Sequence, residues 1–236
     1  MRCLEQFELF WDDEIDFQSR HLASYQSVLT QLIEADQVYA CSCNRKQLAA
    51  YDGIYPQICR TKQLNFSRDT AIRLKTHNHQ IRFLDGIQSE ISCSLLTEQG
   101  DFVVKRKDGF FAYQLAVVVD DYRQGITNIV RGFDLLESTP RQIYLQQLMG
   151  YPIPHYSHIP IIVDAHGQKL SKQTQAEAVQ PAEAQKTLFK LLQMLRQDPP
   201  TELRYASITE ILEWGIRNWR IDQLQNMQRL QIMPVN

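Results

Sequence analysis

The stretch that most constrains the fold is residues 107–142, which contains two short apolar runs that each end in charged or polar residues. Residues 115–119 form an uninterrupted apolar run of strand length, and Asp120 and Asp121 follow at once. Such a run is typical of a strand that is buried on both faces of a parallel sheet. The pattern therefore predicts two carboxylates at the carboxyl end of a buried strand.

A second run, the β-branched residues 126–130, ends in Arg131 and Gly132. Open α/β sheets bind their ligands just beyond the carboxyl ends of the strands, so the two runs predict the floor of a site for a charged small molecule. Arg131 offers a fork for a carboxylate, and Tyr113 offers a hydroxyl on a rigid ring. These two residues are the best ligand candidates, although residues of either type are more often structural.

Residues 139–150 carry the signals for the start and the end of a helix. Thr139 can cap it, Pro140 suits its first position, and Gln142 lies where a capping box places Glu or Gln. Gly150 supplies the stop. One apolar face is formed by Tyr144, Leu145, Leu148 and Met149. Strand, polar end and capped helix together predict a Rossmann-like crossover and an α/β fold.

The rest of the sequence predicts further elements from apolar spacing and from turn and capping residues. They are a helix over residues 22–36, a strand at 38–40, short strands between 70 and 105, a buried strand at 158–163, a turn at 165–167, and helices over 184–195 and about 208–219. The last of these helices opens with a capping box, formed by Ser207 and Glu210.

Composition gives only broad limits on the class of protein. A chain of 236 residues, 44% hydrophobic and 22% charged, can form one large globular domain with an insertion. The net charge of −2 is no global signature of nucleic-acid binding. Any contact with nucleic acid would have to be local, for example through Lys105, Arg106 and Lys107, and we interpret this triplet as a solvated strand end.

The sequence also indicates a compartment. No apolar stretch approaches the roughly 18 residues of a membrane span, and no signal peptide is recognisable. Five cysteines, an odd number, argue against a disulfide framework. We therefore expect a cytoplasmic protein.

Three of the cysteines, Cys41, Cys43 and Cys59, lie close together in the sequence. Thiolates suit zinc, and a structural zinc site needs four donors. The fourth donor is left open between Tyr55, His77, His79 and a water. In the alternative interpretation these cysteines are small buried hydrophobic residues, as cytosolic cysteines often are.

A polar loop follows the predicted strand and turn, and it contains Lys169, Ser171 and Lys172. Two ammonium groups and a hydroxyl at this spacing can neutralise the charge that develops on a polyphosphate. Taken alone, the pattern is better explained by two lysines on an exposed turn.

The amino-acid sequences of these segments resemble the second half of the class I glutamyl-tRNA synthetase catalytic domain. The sequences AYQLAVVVDD, VRGFDLL and KLSK occur in the family order, and KLSKQ stands where class I synthetases carry the KMSKS signature. CSC at 41–43 and YPQIC at 55–59 fit the zinc pattern of the family. The resemblance implies a Rossmann-like catalytic domain with a zinc-binding insertion and a helical carboxyl end.

The same resemblance implies roles for individual residues. Tyr113 and Arg131 correspond to ligands of L-glutamate, and Lys172 to the catalytic lysine of the signature loop. ATP, with magnesium, is implied to bind through Lys169, Ser171 and Lys172. One structural zinc is implied to bind Cys41, Cys43, Tyr55 and Cys59. The implied segments are a remnant of the first Rossmann half at 1–40, a zinc-binding insertion for the acceptor end at 41–100, the second Rossmann half at 101–173 and a helical region at 174–236.

Within this family the chain is similar to the glutamyl-Q tRNA(Asp) synthetases, a branch without an anticodon-binding domain. About 60 residues follow the KLSKQ loop, and Gln173 replaces the usual arginine. The resemblance implies a monomer that activates glutamate and transfers it to the queuosine base of tRNA(Asp). The alternatives are a fragment of an ordinary glutamyl-tRNA synthetase and a non-catalytic zinc module that binds tRNA or another partner.

The family opens with a HIGH-like motif that binds ATP, which we do not find before Cys41. HLAS at 21–24 lies within WDDEIDFQSRHLASY, which resembles a later segment of the family. We therefore expect the amino-terminal part of the ATP site to be missing and the chain as written to form little glutamyl-adenylate. Met1 is then either an internal start in a longer protein or the start of a degraded form.

Overall fold

A computed structural model of the chain describes residues 2–51, 53–170 and 178–231. Its helices are α1 (Arg2–Gln6), α2 (Leu22–Glu34), α3 (Arg45–Leu48), α4 (Tyr113–Arg123), α5 (Thr139–Met149), α6 (Ala184–Met194) and α7 (Ile208–Asn218). Its strands are β1 (Val38–Cys41), β2 (Ala71–Leu74), β3 (Gln80–Asp85), β4 (Ser89–Ser94), β5 (Phe102–Lys105), β6 (Asn128–Gly132), β7 (His155–Ile159), β8 (Ile161–Val163) and β9 (Arg229–Gln231). Short helical turns lie at Gln18–Arg20, Leu95–Gln99, Phe133–Ser138, Pro181–Glu183, Thr201–Tyr205 and Ile221–Leu224.

The strands form four small sheets within the described ranges. Strands β1, β2 and β5 make an antiparallel sheet in that order, and β3 and β4 make an antiparallel hairpin. Strands β6 and β7 are parallel, as are β8 and β9. The mixed α/β architecture agrees with the predicted fold class.

The unit that positions the site is the crossover from β6 through α5 to β7. Because β6 and β7 are parallel, a long crossover connection must join them; α5 lies in this connection, and the predicted Rossmann-like crossover is confirmed here. Helix α5 has a proline in its first turn and ends at Gly150, whose φ of +67° is the left-handed conformation that glycine favours. Thr139 is not the cap, however, because a helical turn already precedes it and Ser138 occupies the cap position.

The predicted strand at 115–119 is wrong, because these residues lie inside helix α4. The helix is buried against α2, α5 and β5, so it is apolar around most of its surface, and a short run of this kind does not distinguish a buried strand from a buried helix. Asp120 and Asp121 therefore belong to the last turns of a helix. Asp120 is structural: the Tyr25 hydroxyl donates a hydrogen bond that is shared between its two carboxylate oxygens, at 2.7 and 2.8 Å, and this contact joins α2 to α4.

The predicted strand at 158–163 is divided into β7 and β8. Pro160 lies between them, and a proline has no N–H with which to continue a ladder. The helices predicted over 22–36, 184–195 and 208–219 are confirmed as α2, α6 and α7, and Ser207 and Glu210 form the predicted capping box.

The main core lies between α2, α4, α5 and the sheets. Its most completely buried members include Tyr25, Leu29, Leu74, Leu95, Leu115, Ile143 and Leu145. A second cluster joins the amino-terminal helix to the carboxyl-terminal helices through Phe7, Ala184, Leu188, Phe189, Leu203 and Ile211. No helix in the described ranges is long and apolar enough to cross a membrane. All five cysteines are free thiols, in agreement with the sequence.

Candidate functional site

Arg131 lies near the carboxyl end of β6, as predicted, with a half-buried side chain. Its Nε donates a hydrogen bond to Nε2 of His158 at 3.0 Å, and its Nη2 donates to Oγ1 of Thr139 at 2.7 Å. A longer contact joins Nη2 to the carbonyl oxygen of Leu135 at 3.5 Å. Among the described residues, none accepts a hydrogen bond from Nη1, so this nitrogen is the part of the predicted fork that is available to a ligand.

His158 is fully buried in β7, directly opposite Arg131 in the strand register. Its Nδ1 lies 2.5 Å from Oδ2 of Asp85, a carboxylate that is itself buried. Arg131 can only donate, so Nε2 of His158 must accept and Nδ1 must carry the proton that is donated to Asp85. The three side chains therefore form a directional relay, which we call the Asp85–His158–Arg131 relay.

The Asp85 carboxylate is prepared for this role by its surroundings. Its Oδ1 accepts hydrogen bonds from the amides of Ile87, Gln88 and His158, at 3.0, 2.9 and 3.1 Å. Burial by itself raises the pKa of Asp85, but the hydrogen bonds from His158 and from these amides outweigh it and hold the pKa below its usual range. The ionised carboxylate of Asp85 orients the ring of His158 and, through it, the guanidinium of Arg131.

Tyr113, the other predicted ligand of a small molecule, is the first residue of α4 and has an exposed fraction of 48%. The start of α4 lies beside the start of α5, because the next residue, Gln114, donates a hydrogen bond to Oγ of Ser138 at 3.0 Å. The Arg131 guanidinium lies 5.2 Å from the centre of the Tyr156 ring. Burial raises the pKa of Tyr156, whereas the hydrogen bond from Gln146 and the charge of Arg131 lower it.

Lys169 lies at the start of the KLSKQ segment, on the second arm of a tight hairpin. Oδ1 of Asp164 accepts hydrogen bonds from the amides of His166 and Gln168, at 2.9 and 2.8 Å, which confirms the predicted turn. The ammonium group of Lys169 forms an ion pair with Asp134, three residues beyond Arg131. This pair brings the loop to the carboxyl end of β6. Ser171 and Lys172 lie outside the described residues.

Three thiols form a cluster that can hold a metal ion: Cys41, Cys43 and Cys59 have sulfur atoms within 4.8 Å of one another. The Sγ atoms of Cys43 and Cys59 are 3.5 Å apart. Thiolates around a tetrahedral zinc ion, each about 2.3 Å from it, stand roughly 3.8 Å apart. The hydroxyl of Tyr55 lies 3.3 Å from Sγ of Cys41 and 3.6 Å from Sγ of Cys43, so four donors of suitable chemistry converge.

The surroundings of the cluster favour the thiolate of Cys59 and hold Tyr55 in place, whereas burial raises the pKa of Cys43. Burial raises the pKa of Cys59, but hydrogen bonds from Tyr55, Ser42 and Cys43 outweigh it and lower the pKa to about 6. The guanidinium of Arg73 lies 3.8 Å from the centre of the Tyr55 ring. Gly100 permits the close approach of this segment, because a Cβ there would lie 2.9 Å from the Tyr55 amide nitrogen.

The histidines proposed as a fourth donor lie elsewhere. Neither His77 nor His79 belongs to the thiol cluster. Nδ1 of His77 instead lies 3.4 Å from a guanidinium nitrogen of Arg60, and the ring of His79 packs 6.0 Å from that of Tyr144. Tyr55 and a water therefore remain as the candidates.

Sequence reasoning missed Asp85 and His158 as parts of the site. The available signal was a single histidine in the otherwise apolar segment before Val163, since a buried imidazole needs hydrogen-bonding partners. Its partners, 73 and 27 residues away along the chain, are brought together only by the fold.

Comparison with known proteins places this geometry in a family. A family model described as tRNA synthetases class I (E and Q), catalytic domain, matches residues 1–197. The chain belongs to the class I (E and Q) tRNA synthetases. This synthetase is accordingly a ligase-type enzyme, as its sequence resemblance implied.

Curated relatives narrow the similarity to one branch of the family. The synthetase is 44% identical over 235 residues to the glutamyl-Q tRNA(Asp) synthetase of Ectopseudomonas mendocina, which covers 98% of this chain and 80% of the relative. It is 46% identical over 219 residues to the glutamyl-Q tRNA(Asp) synthetase of Pseudomonas aeruginosa strain LESB58, covering 93% of this chain and 74% of the relative. The resemblance to this branch is therefore confirmed.

Solved structures confirm the fold. The synthetase superposes on a glutamate tRNA ligase from Elizabethkingia meningosepticum, determined in complex with its amino acid, with a TM-score of 0.74 at 19% identity. The glutamate-tRNA synthetase of Elizabethkingia anophelis gives a TM-score of 0.73, also at 19% identity. Each match covers 99% of this chain, and the chain spans 56% and 57% of the length of these two proteins.

Proposed function

We propose that this synthetase activates L-glutamate with ATP and transfers the glutamyl group to the queuosine base of tRNA(Asp). The observation that carries the proposal is the guanidinium of Arg131, which is held at the carboxyl end of β6 by His158 and Thr139 while Nη1 remains available. The identity of 44–46% to glutamyl-Q tRNA(Asp) synthetases supports this choice of substrates.

The proposed reaction has two steps. The α-carboxylate of glutamate attacks the α-phosphorus of ATP, the bond to pyrophosphate breaks, and glutamyl-adenylate forms. A hydroxyl of the queuosine diol then attacks the activated carbonyl carbon and loses its proton, and AMP leaves. No covalent bond to the protein is needed, so catalysis consists of positioning and of stabilising the developing charge.

The substrates divide between two neighbouring parts of the site. We assign a carboxylate of glutamate to Nη1 of Arg131 and to the hydroxyl of Tyr113, since these are the donors near the end of β6. The phosphates of ATP, with magnesium, are assigned to the KLSKQ loop through Lys169, Ser171 and Lys172. The ion pair between Lys169 and Asp134 supports this arrangement, because it brings the start of the loop close to the residues that we assign to the glutamate substrate.

We assign one structural zinc ion to Cys41, Cys43 and Cys59, with Tyr55 as the fourth donor. When bound, the ion would cross-link the segments that carry these side chains. The residues themselves keep the loop packed: Tyr39, Cys41, Tyr55 and Cys59 form a small buried cluster of their own. The segments at 1–40, 41–100, 101–173 and 174–236 remain our proposed division of the chain.

Transfer of radiolabelled glutamate tests the function. The acceptors are tRNA(Asp) containing queuosine and an unmodified transcript of the same tRNA. Two proteins are compared: the chain as written, and the chain preceded by any in-frame coding sequence upstream of Met1. We expect ATP-dependent labelling of the queuosine-containing tRNA alone.

The other outcomes identify the alternatives. Labelling of the unmodified transcript would indicate an ordinary glutamyl-tRNA synthetase. Binding of tRNA and zinc by both proteins, with no glutamate activation by either, would indicate a non-catalytic module and contradict the proposal.

A further inference from the structure

The starts of helices α4 and α5 are joined by three hydrogen-bonded side chains, Gln142, Gln114 and Ser138, which we call the amide bridge. Nε2 of Gln142 donates a hydrogen bond to Oε1 of Gln114 at 2.9 Å, and Nε2 of Gln114 donates one to Oγ of Ser138 at 3.0 Å. Gln114 is the second residue of α4, whereas Ser138 occupies the cap position of α5 and Gln142 is the fourth residue of that helix. The bridge therefore connects two helices that meet beside the proposed glutamate site.

The amide bridge supplies the only hydrogen bonds between α4 and residues 138–149, two segments that the structure describes in full. The two helices otherwise meet in the apolar main core, to which both contribute. Apolar contacts are not directional, so they tolerate a small slide of one helix along the other. A hydrogen bond is lost once its two heavy atoms are more than about 3.5 Å apart. The bridge therefore fixes the register of α4 against α5.

Gln142 is a costly residue at its position in the core. Its exposed fraction is 1%, and a buried amide costs free energy unless it is hydrogen-bonded. An apolar side chain of similar size would fill the same space without this cost. What the amide adds is direction: because Oε1 of Gln114 accepts from Gln142, Nε2 of the same group is left to face Ser138. We therefore interpret the burial of Gln142 as the means by which Gln114 is oriented.

Both residues that we assign to glutamate are tied to two successive residues at the start of α5. Thr139 accepts a hydrogen bond from Nη2 of Arg131 at 2.7 Å. Ser138 accepts one from Gln114, which directly follows Tyr113 in α4. No described residue forms a hydrogen bond with the hydroxyl of Tyr113, so the place of this side chain depends on the backbone of α4. The start of α5 is thus the common reference for the two proposed ligands.

We propose that Gln114 is a positioning residue for the amino-acid substrate: through the amide bridge it fixes the separation between the hydroxyl of Tyr113 and the guanidinium of Arg131. This role rests on the proposed function, in which both groups donate to one carboxylate. A carboxylate accepts from two donors at once only if each lies about 3 Å from one of its oxygens. A slide of α4 that leaves Arg131 in place moves Tyr113 out of reach and breaks one of the two bonds.

Substitutions at both ends of the Gln114–Ser138 hydrogen bond test this role. Gln114→Met keeps the length of the side chain but removes the amide. Ser138→Ala removes the acceptor, and Ser138→Thr, the conservative variant, keeps the hydroxyl. Gln197→Met is the matched control: Gln197 is a buried glutamine in the carboxyl-terminal region that donates to the Leu195 carbonyl oxygen and accepts from the Arg220 amide, both at 2.7 Å.

The variants should fold, because α4 has other attachments. The helix contributes several residues to the main core, and the Ala112 amide at its cap position donates to the Val104 carbonyl oxygen at 2.9 Å. Thermal unfolding of each variant checks this expectation before any ligand is added.

The measurement is calorimetric titration with L-glutamate in the absence of ATP and RNA. We expect Gln114→Met and Ser138→Ala to bind glutamate about tenfold more weakly, which corresponds to the loss of one hydrogen bond to a charged group. Ser138→Thr should restore most of the affinity that Ser138→Ala loses. Gln197→Met should stay within about twofold of the unsubstituted protein, since its hydrogen bonds lie far from the glutamate residues along the chain and in the fold.

A double-mutant cycle with Tyr113→Phe separates positioning from general destabilisation. Tyr113→Phe removes the hydroxyl on which the bridge is proposed to act, and it should also weaken glutamate binding about tenfold. In Tyr113→Phe/Gln114→Met the two losses should not multiply, because the second substitution displaces a hydroxyl that is already gone. Independent effects would instead multiply to about a hundredfold.

Three results would overturn the role of Gln114 and leave the proposed function intact. They are unchanged glutamate affinity in Gln114→Met and Ser138→Ala, equal weakening in Gln197→Met, and losses that multiply in the double variant. Failure of the unsubstituted protein to bind glutamate would instead contradict the proposed function itself, and the positioning role would fall with it.

Discussion

Arg131 and His158 lie opposite each other in the register of the parallel strands β6 and β7, and a 3.0 Å hydrogen bond joins Nε of the arginine to Nε2 of the histidine. The strand pairing alone brings the two Cα atoms together. The orientation of the guanidinium depends on the imidazole, which is oriented in turn by Asp85.

Asp85→Asn should therefore change the orientation of the Arg131 guanidinium, although Asp85 acts on it only through His158. The amide can donate a proton to Nδ1 of His158, which moves the ring proton to Nε2 and directs it at the N–H of Arg131. We expect glutamate affinity to fall about tenfold and the free energy of unfolding to fall by about 1–3 kcal/mol. Nitrogen NMR of the His158 ring should show the change of tautomer.

Tyr156→Phe is the control for this prediction. It removes a hydroxyl that shares a 3.1 Å hydrogen bond with Gln146 in the same core but keeps the ring beside Arg131. It should lower stability and leave glutamate affinity nearly unchanged. If both substitutions weaken glutamate binding equally, the relay acts only through general stability.

Asp121 should make stability depend on pH. Burial raises its pKa to about 6, although the charge of Arg131 lowers it and that of Asp120 raises it. The pKa of an aspartate in an unfolded chain is about 3.9. The folded state therefore binds more protons than the unfolded state between about pH 4 and pH 6. Above that range the ionised carboxylate lowers the free energy of unfolding.

Asp121→Asn should consequently raise the free energy of unfolding at pH 7 by about 1 kcal/mol, allowing for the partial exposure of this side chain. The gain should shrink as the pH falls from 6 towards 4, where the native carboxyl is already neutral. Denaturant unfolding at several pH values measures it, with Asp12→Asn at an exposed position as the control. A gain that does not vary with pH would exclude the carboxyl as its cause.

The thiol cluster should retain one zinc ion per chain after washing with a weak chelator, as elemental analysis can show. Cys43→Ser should lose the metal and loosen the surrounding loop while the main core stays folded, because a structural zinc chiefly stabilises its own module. Cys93→Ser, which changes a buried thiol outside the cluster, should keep the metal. Washed protein without zinc would refute the assignment.

Features that depend on neighbouring residues were predictable from the sequence. Helix α5 has its proline, apolar face and terminal glycine within a dozen residues, and the three thiols of the cluster lie on one short stretch of chain. The proline, the terminal glycine and the thiol ligand chemistry are local signals, whereas the predicted cap at Thr139 was wrong.

Features that depend on distant packing were not predictable. Residues 115–119 suited a buried strand, and only the packing of α2, α5 and β5 around them makes the helix the stable choice. The relay likewise needs Asp85 to meet His158 across 73 residues of sequence. The partners of an apolar run or of a single histidine cannot be identified from the neighbouring residues in the sequence.

Calorimetric titration with L-glutamate tests the role of Arg131 most directly. The unsubstituted protein should bind glutamate, and Arg131→Lys should bind it about tenfold more weakly or worse, because lysine keeps the charge but loses Nη1 and the hydrogen bonds that orient it. Arg217→Lys, at an exposed position on α7, should bind glutamate like the unsubstituted protein. Equal affinities for all three proteins, with unchanged thermal stability, would contradict the assignment of glutamate to Arg131.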